Sequence, residues 1–332
     1  QLWVHGAPKT PQHIVPLNAM GGRMFVDLSR LSGTMAKDFL RAYHDQDVGI
    51  CLTLRWQNPE NTNAPDVAPT RAEQREKTDL LMEVLTSPES RQLAGRIWVQ
   101  FFNEITGGPG MIQPEEADIM FDWATETALR IRREAPHVMI CGPALTALDV
   151  LEKDKGQLSS VGQARHAGLQ RAFEWSAKYA EAIDLHLHLD GGQDTRDWIR
   201  LLRDELNRYP NGELTYILSL EWSPARYPDT EDLDGAMVAL KEIYREMAVA
   251  RFPIAAYACF YPAYSIGEKF HWQSIAHAPD KPSDPPRPNE PFYSTLTEIG
   301  AGQIDIPGLR EQTDLNPSAP PQEIWALKQG RM

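Results

Sequence analysis

Two glutamates close strongly apolar segments of this chain. Glu104 ends the run Ile97 to Glu104 (IWVQFFNE), directly after Asn103, and Glu221 ends Leu214 to Glu221 (LTYILSLE), directly before Trp222. A lone carboxylate at the end of a strand is commonly a solvated loop charge. Two of them, on strands three apart in order, can work as a pair. If both face one cleft, one can protonate a departing oxygen while the other, ionised, attacks an acetal carbon. That division of labour is the one glycoside bond cleavage needs. Other strand ends carry Arg55-Trp56-Gln57-Asn58, the imidazoles His186 and His188 with Asp190, and Phe260-Tyr261-Pro262-Ala263-Tyr264. Flat rings suit the apolar C–H faces of sugars. Trp56, Trp222, Tyr261 and Trp272 are therefore candidate sugar contacts, and Arg55, Asn103, His186 and His188 candidate polar contacts.

These side chains converge only if the elements that carry them form one sheet. Apolar runs at Val48 to Trp56, Ile97 to Glu104, His137 to Ala144, Ala182 to Leu189, Leu214 to Glu221 and Pro253 to Tyr261 alternate with longer amphipathic stretches. Runs that are apolar throughout, rather than at every second residue, belong to parallel strands covered on both faces. Helices are expected near Gly33 to His44, Thr70 to Thr86, Gly162 to Ala180 and Pro291 to Ile299. Others should begin at Pro114 and after an Asp194 N-cap and Thr230. Glu181 and Asp184 read as a helix end and a loop. Repeated strand–helix order with right-handed crossovers predicts an α/β fold, specifically a (β/α)₈ barrel whose site lies at the C-terminal ends of the strands. Closing it needs two more strands, for which His13 to Ala19 and Arg23 to Leu28 are the candidates. Pro8, Pro11 and Pro16 leave no helix between them, so the first unit should be irregular. The barrel is expected to span 1–303, and the Pro-rich residues 304–332 to form an extended tail packed on it.

At 332 residues with a net charge of −13, the chain is long enough for such a barrel and poorly suited to nucleic acid or an anionic membrane as main partner. Its longest apolar run, Phe252 to Tyr264, is shorter than the ~20 residues of a spanning helix. Cys51, Cys141 and Cys259 sit inside strand-like runs and read as buried thiols rather than a disulfide framework. The first residue is Gln1, from which we expect a mature chain that has lost its signal peptide and is secreted or periplasmic, a trimmed or cytoplasmic chain remaining open.

With these residues in place, the chain resembles clan A, the retaining β-glycoside hydrolases with (β/α)₈ barrels, and within it families 39 and 5. Trp98-Val-Gln-Phe-Phe-Asn103-Glu104 is similar to the clan's Asn-Glu signature at the end of strand four. The resemblance implies an acid/base role for Glu104 and a hold on the substrate's 2-hydroxyl for Asn103. Leu218-Ser-Leu-Glu221-Trp222 resembles the nucleophile strand, implying that role for Glu221. His186-Leu-His188 resembles the clan's His-x-Tyr on strand six, and Asn289-Glu-Pro-Phe-Tyr293-Ser-Thr-Leu its last helix. The likeness covers roughly residues 45 to 300. It departs in the unrecognisable first unit and in strand eight, where Phe260 or Tyr261 stands near the position of the usual Trp. It implies a retaining hydrolase of β-linked oligo- or polysaccharide that uses no cofactor. Oligomeric state is not legible.

Two rival readings use the same residues. His186-x-His188 and Asp190 share one strand face and could ligate zinc in a metal-dependent hydrolase. Metal barrels of the amidohydrolase type carry such a motif on the first strand rather than the sixth, so no metal ligands are assigned. A sugar-binding barrel without turnover is the other rival. The retaining reading expects the two carboxylates ~5–5.5 Å apart. It also expects His188, nearer the strand end, to touch Glu221 or sugar.

Overall fold

The structure, a computed structural model, describes residues 1–5, 19–58, 60, 65–105, 112–113, 115–146, 151, 158–189, 191–224, 233–258, 276–277, 287–288, 290, 292–303 and 315–331. Its strands are β1 (Leu2–His5), β2 (Gly21–Asp27), β3 (Gly49–Arg55), β4 (Ile97–Phe101) and β5 (Met139–Leu145). They continue with β6 (Ala182–Leu185, resumed after His186 by Leu187–His188), β7 (Tyr216–Ser223) and β8 (Ala255–Ala258). Each pairs in parallel with its sequence neighbours, and β1 also pairs with β8, so the sheet closes on itself. Helices α1 (Gly33–Asp45), α2 (Arg71–Leu85), α3 (Pro88–Gln92), α4 (Ala117–Glu134) and α5 (Ser160–Tyr179) cover the outside, followed by α6 (Gln193–Leu206), α7 (Leu233–Val249) and α8 (Phe292–Gly300). This is a (β/α)₈ barrel. None of these helices is long and apolar enough to cross a membrane.

Local chemistry explains most boundaries. Thr70 and Glu73 form a reciprocal capping box at the start of α2, satisfying two otherwise orphaned amides. Ser159 caps α5 through Gly162. The expected cap Asp194 lies instead in the first turn of α6, whose N-cap is Gly192 at φ 62°. Pro114 and Thr230 lie outside the described residues; α4 begins at Ala117.

The first strand is a correction. It is Leu2–His5, not His13 to Ala19; Ala19 is not in a strand and residues 13–18 lie outside the described part. Four residues suffice because Trp3 fills the barrel floor. Its ring occupies the space where a Cβ on Gly21 or Gly49 would lie, 2.8 Å from either, so glycine at both positions admits it.

Along each strand, alternate residues divide between two cores. Ile50, Leu52, Leu54, Val99, Phe101 and Ile140 pack outward against helices. Trp3, Cys51, Trp98, Met139, Cys141, Ala182, Tyr216 and Leu218 fill the lower interior. Cys51 and Cys141 are buried free thiols, and Cys259 is outside the described residues.

The tail differs from a wholly extended one: Pro321–Gln329 is a helix, α9. It closes the floor. Ile324 joins the interior core, while Asn316 bonds both the N–H and the C=O of Ile217. Lys328, fully buried, donates to the carbonyls of Ser176 and Ala180 and to Thr215 Oγ1. Residues 304–314 lie outside the described part.

Candidate active site

Glu104 reaches the mouth through a strained turn. Phe102 and Glu104 have φ of 67° and 45°, a region that bulky L-residues avoid at a cost of about 1–3 kcal/mol. Packing holds Phe102 there. Its ring meets Phe121 at 5.4 Å and Trp123 at 6.0 Å, and its backbone bonds Leu54 and Ala144 on the flanking strands. With Phe102 anchored outward, Asn103 and Glu104 are both delivered to the interior.

Glu221 arrives by a β-bulge. Asp184 and Leu187 on β6 oppose Leu218 and Trp222 on β7, and Ala255 and Tyr257 on β8 oppose Ser219 and Trp222. Against both neighbours β7 thus carries one extra residue. Tyr216 and Leu218 face the interior; on a regular strand Trp222 would follow them inward and Glu221 would point at the helices. The extra residue reverses this, as bulges do at barrel rims. Leu220, at the bulge, donates its N–H to Asp184 Oδ1 at 2.7 Å, and its carbonyl accepts from Arg23 Nη1.

Below the mouth lies a fully buried polar layer. Arg23, from the middle of β2, bonds Gln100 Oε1, Thr53 Oγ1, Asn103 Oδ1 (2.6 Å) and Glu221 Oε2 (3.1 Å). Gln100 passes its amide to Asp184 Oδ2 at 2.6 Å. Every arm of the Arg23 fork is thus directed at an acceptor, which is what lets a cation sit in a barrel interior.

His186 stands on this layer with its side chain fully buried. Its Nε2 is 3.1 Å from Asp184 Oδ2; its Nδ1 is 3.0 Å from Glu104 Oε1 and 3.7 Å from Glu221 Oε2. Burial opposes charge on this ring, but the surrounding carboxylates, Asp184 and Glu221 foremost, outweigh it and push the pKa up to about 10. The ring is an imidazolium at neutral pH. Burial likewise opposes charge on Asp184, but His186, Arg23 and the Leu220 amide hold its carboxyl below the usual range. His188 is partly exposed; its Nδ1 bonds Ser223 Oγ at 2.8 Å and its Nε2 lies 3.4 Å from Glu221 Oε1.

Glu104, His186, His188 and Glu221 each present one potential ligand atom, all within 4.8 Å of one another. Their donor types could hold a divalent cation. One feature opposes a cation: the Arg23 guanidinium already bonds Glu221.

The structure therefore unites Asn103, Glu104, His186, His188 and Glu221. It separates the tryptophans. Trp56 packs edge-on against Trp123 at 5.4 Å, and Trp222 is fully buried between Tyr257 and Tyr244. Both belong to the outer core and offer no ring to sugar, because each neighbours an inward-facing residue on its strand. Arg55 pairs with buried Asp66, Nη2 to Oδ1 2.7 Å. Asp190, Phe260, Tyr261, Tyr264 and Trp272 lie outside the described residues. Sequence reading missed Arg23, Thr53, Gln100 and Ser223, and misread Asp184 as a loop residue, while Glu181 lies at the helix end expected for it. Asp184 is a fully buried strand residue, and Glu181 is buried against Arg132 and the Ile140 amide. The available signal was polar residues inside apolar runs: Arg23 in GGRMFVD, Gln100 in IWVQF and Asp184 in AIDL.

Solved structures share this architecture. The likeness is one of barrel fold. A glucosidase from Croceicoccus marinus superposes with a TM-score of 0.62 at 12% identity, over 90% of this chain and 65% of that one. A family 39 glycoside hydrolase from Bacteroides cellulosilyticus gives 0.57 at 10%, over 92% and 64%. An exo-β-1,4-mannosidase from an Opitutaceae bacterium gives 0.56 at 12%, over 99% and 68%. The chain thus spans slightly under two thirds of the first two proteins. No protein-family model matches it, and no curated protein matches it in sequence.

Proposed function

We propose that this protein is a retaining glycoside hydrolase acting on β-linked oligo- or polysaccharide, with Glu221 as nucleophile and Glu104 as acid/base. The observation that carries the reading is the carboxylate pair at the ends of β4 and β7, an oxygen of each within 4.8 Å. That spacing is nearer the ~5–5.5 Å of double displacement than the ~6.5–9.5 Å of an inverting pair, which supports the retaining reading. Glu221 attacks the anomeric carbon while Glu104 gives its proton to the departing oxygen. Glu104 then takes a proton from water, which releases the sugar from Glu221. Arg23 and His188 each lie against a different oxygen of the nucleophile, Oε2 and Oε1. On this reading Asn103, whose Oδ1 accepts from Arg23, meets the 2-hydroxyl.

Glu221→Ala should abolish turnover of every substrate, a loss of roughly 10⁴–10⁶-fold. Glu104→Ala should spare the first step for aryl glycosides with good leaving groups, and added azide should then restore turnover as the β-glycosyl azide. Uniform loss across leaving groups without azide rescue would remove Glu104 from the role. The four-ligand cluster supports a second reading, a metal-dependent hydrolase. Activity that EDTA abolishes and zinc restores would favour it.

A further inference from the structure

We propose that Phe25 is the platform on which the sugar lies at the carboxylate pair. This rests on the hydrolase reading above, in which a sugar ring sits between Glu104 and Glu221 and presents an apolar C–H face. The aromatic rings described so far do not meet that face. Trp56 and Trp222 belong to the outer core, and Trp3, Trp98 and Tyr216 fill the lower interior. Phe25 differs from all five. It follows Arg23 by two positions on β2, so it shares the inward face of Arg23 and lies nearer the strand end. It is 38% exposed, whereas Arg23, Thr53 and Gln100 beside it are fully buried. The open part of the ring therefore faces the mouth. A single exposed apolar side chain is ordinary on an outer surface. This one stands inside the end of the barrel where such folds place their sites.

Two contacts tie the ring to the site. The Arg23 guanidinium carbon lies over the Phe25 ring, 4.9 Å from its centroid. The same guanidinium bonds Glu221 Oε2 at 3.1 Å and Asn103 Oδ1 at 2.6 Å. One cation thus spans the ring and the nucleophile. From the end of β3, the Arg55 guanidinium carbon lies 5.8 Å from the same centroid, and Arg55 is itself fixed by Asp66. Cations are attracted to the negative face of an aromatic ring, so these two hold the plane of Phe25 in place. A rigid ring costs little conformational freedom when a ligand settles on it. A β-linked pyranose matches it, because its axial hydrogens form an apolar face while its hydroxyls stay at the rim for the polar groups around the mouth.

The test measures kcat/KM against pH on 4-nitrophenyl β-glycosides of a sugar the enzyme cleaves, with a thermal melt of each variant. Phe25→Leu keeps the apolar bulk and loses the flat face. It should melt near the wild type and lose ~10-fold or more in kcat/KM at every pH, the order of one ring contact. Phe25→Tyr restores the ring and should recover most of that loss. Phe25→Met takes the place of Phe25→Leu if the latter does not fold. Wild-type kcat/KM in the variant without a ring overturns the proposal, as does a loss that Phe25→Tyr fails to recover. A displaced pH profile also overturns it, because that places the loss on the Arg23–Glu221 contact. If no glycoside is turned over, the hydrolase reading fails by itself, and calorimetry with cellotetraose, laminaritetraose, β-1,4-mannotetraose and xylotetraose decides. Binding of any of them that Phe25→Leu weakens ~10-fold and Phe25→Tyr keeps supports the platform. Binding of none, or binding equal in the wild type and Phe25→Leu, overturns it.

Discussion

At the mouth of the barrel His186 is enclosed by Asp184, Glu104 and Glu221; at the closed end Lys328 is enclosed by two carbonyls and a hydroxyl. Both are buried cationic groups, and their ordinary order of basicity is inverted. His186 is pushed up from 6.5 to about 10, whereas burial brings Lys328 down from 10.5 to about 7. Depth does not explain the difference, since both side chains are fully buried. Partner charge does. Carboxylates repay the desolvation of a cation; neutral dipoles satisfy its N–H groups but repay less. The mouth is built to keep a charge, and the floor is built to seal.

The largest test removes the charge on which the mouth depends. Arg23→Met leaves Glu221, Asn103 and Gln100 without their common donor. It should cost about 3–5 kcal/mol of stability, as breaking a buried ion pair does. On the hydrolase reading it should also lower kcat by about 10²–10³-fold. Denaturant melts and kinetics read the two effects; a variant matching the wild type in both would show that the polar layer is incidental.

The pH dependence of stability tests the inversion directly. The raised pKa of His186 contributes stability that is fully present below about 6.5 and lost as pH rises through about 10. Lys328 has the opposite sign. Its unfolded form binds more protons than its folded form between about 7 and 10.5, so its contribution rises with pH across that window. In the wild type the two slopes oppose each other. Relative to it, stability should rise with pH in His186→Gln and fall with pH in Lys328→Met, each by about 3–5 kcal/mol between pH 7 and 10. Urea melts at stepped pH decide; parallel curves for all three proteins would break the comparison.

A smaller effect separates sealing from chemistry. Ile324→Ala, at the floor, should cost about 2–5 kcal/mol while leaving KM unchanged. A shift in KM without loss of stability would place α9 in substrate handling. The smallest concerns Trp222. As an outer-core residue, Trp222→Phe should cost roughly 1–2 kcal/mol and leave KM unchanged. A large KM increase would return the ring to the candidate substrate contacts.

Six strands were legible because each is buried on both faces and so is apolar throughout, as in GICLTLR and IWVQF, and the second, Gly21–Asp27, was legible as the candidate Arg23 to Leu28. The first was not. Leu2–His5 is too short to show a run, and what identifies it is Trp3 lying over Gly21 and Gly49. Glu104 and Glu221 were legible as polar ends to apolar strands. Trp56 and Trp222 misled for the same reason: a strand end names a neighbourhood but not a face. Arg23 could have been noticed as a charge within a buried run, but its partners could not, since Glu221 is 198 positions away and Gln100 is 77.

The sequence by itself determined the alternation of strand and helix, hence a barrel, and the two acids at the ends of its fourth and seventh strands. Periodicity and burial are local properties, so a chain can state them without folding. The tertiary structure decided which way those ends point and what they meet. One extra residue in β7 turns Glu221 inward and Trp222 out, and it shows only when β7 is aligned with β6 and β8. Closure of the sheet then sets Arg23 and Asp184 beside residues remote in the chain. From that proximity come the proton held on His186 and the two carboxylates held face to face, because charge interactions fall off with distance in space and take no account of separation along the chain.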